Sequence, residues 1–126
     1  MSESEGTVVP GAAVLDEAML REITEAAGMT PMELIDMFRE DTLENLKAMV
    51  SALAEGDREI FNRSAHTLKS SAGNVGAQRV AGLAQALERE TKTEFAVAVP
   101  ALFAQLQQAF DEFNAHVLAN AASLGA

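Results

Sequence analysis

Apolar residues recur every three or four positions along almost the whole chain, and that spacing leaves little room for anything but packed helices. Phe61, Ala65, Leu68, Ala72 and Val75 fall on one stripe, and Val80, Leu83, Ala84 and Leu87 make a second. Leu102, Phe103, Leu106, Phe110, Phe113 and Val117 make another. Upstream, Leu34, Ile35, Phe38, Leu46, Met49, Val50 and Leu53 line one side of a segment whose wet side is Arg39, Glu40, Asp41, Glu44 and Lys47. No run shows the strict alternation of a half-buried strand, and no segment repeats at a fixed period.

Punctuation between the stripes supplies the helix ends. Asp16 is suited to cap a short first helix carrying Met19, Leu20 and Ile23, which Gly28 ends. Thr30, Pro31 and Glu33 form a start signal of cap, proline in the first turn and an acid three residues after the cap. That second helix should run to about Glu55, where Gly56 and Asp57 stop it and start a third. The third should end between Asn74 and Gly76, and the fourth begins almost at once and fades after Glu90. Pro100 fits the first turn of a last helix and would kink its interior. Four amphipathic helices on short connections bury their stripes against one another. The expected fold is therefore all-α: an antiparallel up-and-down four-helix bundle over 15–122, with a short extra N-terminal helix across one end. Residues 1–14 are acidic, lack a basic start and a sustained apolar core, and read as a flexible tail rather than a signal peptide.

His66 points away from the stripe of its own helix. Asn62, Ser70 and Gly73 lie at minus four, plus four and plus seven from it, share its exposed side and lack bulk. Lys69, one position off that line, can bring its ammonium near anything attached to the imidazole. A lone surface histidine is ordinarily only solvated polarity, and Lys69 by itself only a solvated lysine.

The segment HTLKSSAGNVGA resembles the H-x-L-K-G-S-S-x-x-x-G-A signature of histidine-containing phosphotransfer (HPt) domains. His66, Leu68, Lys69, Ser71, Gly76 and Ala77 match it, with Ser70 where the family most often has glycine, and the similarity runs from about Leu15 to Leu118. The resemblance implies that His66 is the phospho-accepting residue and that Lys69 offsets phosphoryl charge. It implies that Glu88, where such domains often carry Glu or Gln, accepts the proton on the ring nitrogen that does not react; pairing with Lys92 is the plain alternative. It implies partners as well: response-regulator receiver domains and a sensor or hybrid histidine kinase. Ser70 and Gly73 would let a partner backbone approach, while Val75, Met19 and Ile23 are either core or part of a docking patch for a receiver helix.

On this reading the chain is a phosphorelay intermediate, not an enzyme with its own ATP site. It needs no cofactor, since the acidic pocket and Mg²⁺ are expected on the receiver. A helical adaptor that binds through the same face without phosphotransfer is the competing reading. A chain of 126 residues is one domain, too short for a kinase beside the bundle. Its formal charge of −10 disfavours nucleic acid and anionic membranes as targets. No cysteine means no disulfide or thiolate metal site, compatible with a cytoplasmic location. The longest uncharged run, from Phe95 to Gln108, contains Pro100 and is shorter than a membrane span. A metal at His116 and Glu112 lacks the Glu-x-x-His spacing of bundle sites and the inward acids that accompany it. The methionines are expected to fill core gaps, and the protein is expected to be a monomer.

Overall fold

The computed structural model describes residues 13–93 and 95–125, and most of the expected acidic tail lies outside them. The chain forms α1 (Glu17–Ala27), α2 (Pro31–Glu55), α3 (Arg58–Val75), α4 (Gln78–Glu90), α5 (Val99–Ala119) and α6 (Ala121–Leu124). It is an all-α bundle with no strand among the described residues.

Local chemistry accounts for most boundaries. Asp16 Oδ1 accepts from the Met19 amide at 3.1 Å, which starts α1. At α2 the Thr30 hydroxyl accepts from the Glu33 amide at 3.2 Å while Glu33 Oε1 accepts from the Thr30 amide at 2.8 Å, a reciprocal pair that satisfies two orphan donors. Asp57 caps α3 through the Ile60 amide at 3.1 Å. Glycines in the left-handed region close the first three helices. Gly76 is the most constrained of them, because at φ +80 a Cβ would stand 2.8 Å from the backbone oxygen of Asp16.

The α3 helix packs against both α2 and α4, and α4 packs against α5. The ring closes through aromatic side chains, with Phe38 of α2 edge-on to Phe110 and Phe113 of α5 at centroid distances of 6.2 and 5.2 Å. Phe61 of α3, fully buried, lies edge-on to Phe95 at 5.6 Å and to Phe103 at 5.5 Å. All five residues of the α3 stripe, all four of the α4 stripe and all six of the α5 stripe are buried.

The α2 stripe is shifted from the expected one. Ile35, Phe38, Thr42, Met49 and Ala52 are buried, whereas Val50 is 50% exposed and Leu34, Leu46 and Leu53 are only partly buried. Val50 follows Met49 directly, and one residue turns a helix by about 100°, so only one of the pair can face inward. Nor do the methionines all fill the core: Met49 does, but Met37 is 56% exposed.

Residues near both ends of the described chain make contacts with the bundle. Ala13 O accepts from the Arg79 amide at 3.0 Å, and Val14 packs on the core. At the other end Leu124 of α6 is fully buried, and Arg21 Nη2 donates to Ser123 O and Oγ at 3.0 and 2.9 Å. A four-residue helix has no periodicity to read, and its place is set by contacts with α2 and α5.

Candidate functional site

Because the α3 stripe is clamped between α2 and α4, His66 is turned outward, with 59% of its side chain exposed. Across the helix interface, Glu88 of α4 keeps 17% of its side chain exposed and reaches back to α3. Glu88 Oε2 lies 2.7 Å from His66 Nδ1, and Glu88 Oε1 lies 2.9 Å from Lys69 Nζ. One carboxylate thus engages both residues of the H-x-x-K pair.

Burial acts to raise the pKa of the Glu88 carboxyl, but hydrogen bonds and charge from Lys69 and His66 outweigh it and hold it below its ordinary value. Glu88 is therefore ionised near neutral pH and can only accept hydrogen bonds. At 2.7 Å the proton must then sit on Nδ1 of His66. In the neutral ring this leaves the lone pair on Nε2, the nitrogen farther from α4.

Asn62, expected to be cleared surface, has a different job. Its Nδ2 donates to the backbone oxygen of Glu88 at 2.8 Å and also to Thr91 Oγ1. The Thr91 hydroxyl, fully buried, donates to the same Glu88 oxygen at 2.8 Å. Asn62 and Thr91 thereby fasten the end of α4 one turn from His66. An asparagine at i−4 from a surface histidine gives no sign of this, because its partners are 26 and 29 residues away.

The other expected site residues divide. Ser70 is exposed beside His66. A Cβ added at Gly73 meets nothing within 4 Å, so the chain's own packing does not demand glycine there. Val75 is corrected to core, since it is only 2% exposed and belongs to the buried α3 stripe. Met19 and Ile23 are partly buried on α1, which begins where Asp16 N donates to Gly76 O at 2.8 Å, about 15 Å along α3 from His66. The exposed apolar side chain near Val75 is Met37, which lines a shallow cleft between α2 and α3 with Leu34, Ser71 and Asn74. His116 faces Glu17 at 3.3 Å rather than Glu112, which takes Arg79 at 2.8 Å. No group of three or more potential ligands that could hold a metal occurs among the described residues.

A family model described as Hpt domain matches residues 33–116, from the first turn of α2 to near the end of α5. The chain belongs to the Hpt domain family. Hpt domains are histidine phosphotransfer modules of two-component signalling that work with receiver domains and histidine kinases and carry no ATP-binding site of their own. The Hpt match contains His66, Lys69 and Glu88, and it excludes α1 and α6. Neither the curated proteins nor the solved structures gave a match. No helix among the described residues is long and apolar enough to cross a membrane.

Proposed function

We propose that this Hpt domain is a phosphorelay intermediate, acting as a monomer in the cytoplasm. It takes a phosphoryl group onto His66 from a receiver-domain aspartate and passes it to a second receiver. The observation that carries the reading is the bidentate Glu88 carboxylate, which holds Nδ1 of His66 on one oxygen and the Lys69 ammonium on the other. An adaptor that bound only through this face would have no use for a fixed tautomer.

In the transfer step the Nε2 lone pair attacks phosphorus and the P–N bond forms. The P–O bond to the aspartyl carboxylate breaks, and that carboxylate leaves with the electron pair. His66 keeps its Nδ1 proton, so the ring gains positive charge as the bond forms, and Glu88 stands 2.7 Å away to offset it. Transfer through such a loose transition state depends mainly on positioning and electrostatics. Lys69, one third exposed, is close enough to the ring to shift from Glu88 towards a phosphoryl oxygen. The metal and the acidic pocket belong to the receiver. Return transfer reverses the same bonds.

The test uses a radiolabelled phosphorylated receiver with the purified chain. Label should move to the chain in an acid-labile, alkali-stable form and should not move to His66→Gln. Transfer unchanged in His66→Gln refutes the proposal. A chain that binds receivers but accepts no label is the adaptor instead.

A further inference from the structure

The chain carries a formal charge of −10, yet Arg58, Arg63, Lys69, Arg79, Arg89 and Lys92 gather six of its nine Lys and Arg residues on α3, α4 and the turn after α4. Lys69, Arg79 and Arg89 have carboxylate partners. Arg58 and Lys92 have none among the described residues. These two flank a cavity of about 340 Å³ between the start of α3 and the end of α4, lined also by Glu59, Asn62 and Thr91. The Arg58 guanidinium stands 5.8 Å from the centre of the Phe95 ring. Among the described lining residues, two cations stand against one carboxylate, Glu59.

The cavity lies on the reactive side of the molecule. Asn62 is one turn before His66, and Arg58 is eight residues before it, about 12 Å along the helix. A partner covering about 800 Å² centred on His66 reaches roughly 16 Å in each direction. The cavity therefore lies within reach of a protein of ordinary interface size that settles over the histidine.

We infer that this cavity is a docking subsite for a carboxylate side chain on the acidic surface of the partner protein, and that Arg58 and Lys92 fix which way round the partner sits over His66. The inference rests on the phosphotransfer reading given above. A free anion is a poor occupant, because both cations sit on exposed, flexible stems and the amide of Asn62 is already spent on Glu88 O and Thr91 Oγ1. A protein carboxylate, held in place by the rest of an interface, does not need a prebuilt cage. Since the chain is acidic overall, the local cations also lower the repulsion that an acidic partner meets on approach, and such rim charges act mainly on association rate and its salt dependence.

The experiment measures phosphotransfer with the source organism's receiver domain that exchanges fastest with the parent protein, and separately labels His66 with phosphoramidate, a small donor that needs no docking. Lys92→Glu should raise the receiver concentration for half-maximal rate by about fivefold, and Arg58→Glu with Lys92→Glu by more than tenfold, with a flatter salt dependence. Labelling by phosphoramidate should stay within about twofold of the parent, which shows that the variants are folded and the nucleophile intact. Lys47→Glu on α2, matched in charge to Lys92→Glu, should change little. Replacement of one acidic residue on the receiver by lysine should restore the Lys92→Glu rate. Variants as fast as the parent with receiver overturn the subsite while leaving the phosphotransfer reading in place. Failure of phosphoramidate and every receiver to label the parent overturns both.

Discussion

Replacing Glu88 tests whether the carboxylate governs the reactivity of His66 or only ties α4 to α3. The bond from Nδ1–H to Glu88 Oε2 is 2.7 Å long and charge-assisted, a type that contributes about 1.5–3 kcal/mol. The His66 side chain is 59% exposed, so water competes for the ring and the lower end of that range applies. At about 1.4 kcal/mol per factor of ten, Glu88→Ala should slow single-turnover transfer about tenfold. Glu88→Gln keeps an acceptor oxygen but no charge, so its rate should fall between parent and Glu88→Ala. Nitrogen-15 shifts of the imidazole report the tautomer directly: proton on Nδ1 in the parent and in Glu88→Gln, a mixture in Glu88→Ala. The fold should survive, because Asn62 and Thr91 hold Glu88 by its backbone oxygen and not by its carboxylate. The acid titration has a definite sign. Lys69 and His66 hold the folded-state pKa of Glu88 below its ordinary unfolded value, so the unfolded chain binds more protons in that range. The stability advantage of the parent over Glu88→Gln is thus present above the ordinary range of a glutamate carboxyl and disappears as pH falls through the lower folded-state value. Rates within twofold of the parent together with unchanged nitrogen shifts would refute the tautomer argument.

Lys69→Ala should slow transfer about threefold to tenfold and leave thermal unfolding nearly unchanged, since the side chain is one third exposed and, among the described residues, pairs with Glu88 alone; a large drop in melting temperature by circular dichroism would assign it to stability instead. Phe61→Ala removes a fully buried ring from between Phe95 and Phe103 and should cost about 3–5 kcal/mol in urea unfolding, more than any surface variant above. Gly76→Ala combines a left-handed backbone with a Cβ 2.8 Å from Asp16 O, so about 2–4 kcal/mol should be lost; a loss under 0.5 kcal/mol would mean that the segment before α1 moves away freely.

Caps and glycine stops could be read from the sequence because their partners are three to five residues away. Asp16, Thr30 with Glu33, and Gly56 with Asp57 all mark ends that the structure has. The α3, α4 and α5 stripes were equally legible, since each helix is buried along one continuous line. The α2 stripe is ambiguous in the sequence where apolar residues are adjacent, as at Met49 and Val50, and where a threonine takes a core position, as Thr42 does. Val75 could be assigned to core or docking surface only once α1 and α2 were in place. At the site, spacing along one helix found His66 and Lys69, and family likeness brought in Glu88. Neither indicated that one carboxylate would serve both, nor that Asn62 would reach α4, because those facts depend on how two helices are set against each other.

That setting is held at two points. His66 and Glu88 lie 22 residues apart on different helices, and their 2.7 Å contact exists only in one register of α3 against α4. Slipping α4 by one residue moves it about 1.5 Å and turns it about 100°, enough to take the carboxylate off the ring. At one end the register is fixed by the Gly76 turn, braced by Asp16 and by the bond from the Arg79 amide to Ala13 O. At the other end Asn62 and Thr91 grip the Glu88 backbone itself. The segment before α1 and a half-buried asparagine, neither of which touches the imidazole, therefore help to set which of its nitrogens faces the carboxylate and which stays clear of it. On the proposed phosphotransfer reading, the bundle is thus part of the chemistry as well as its support.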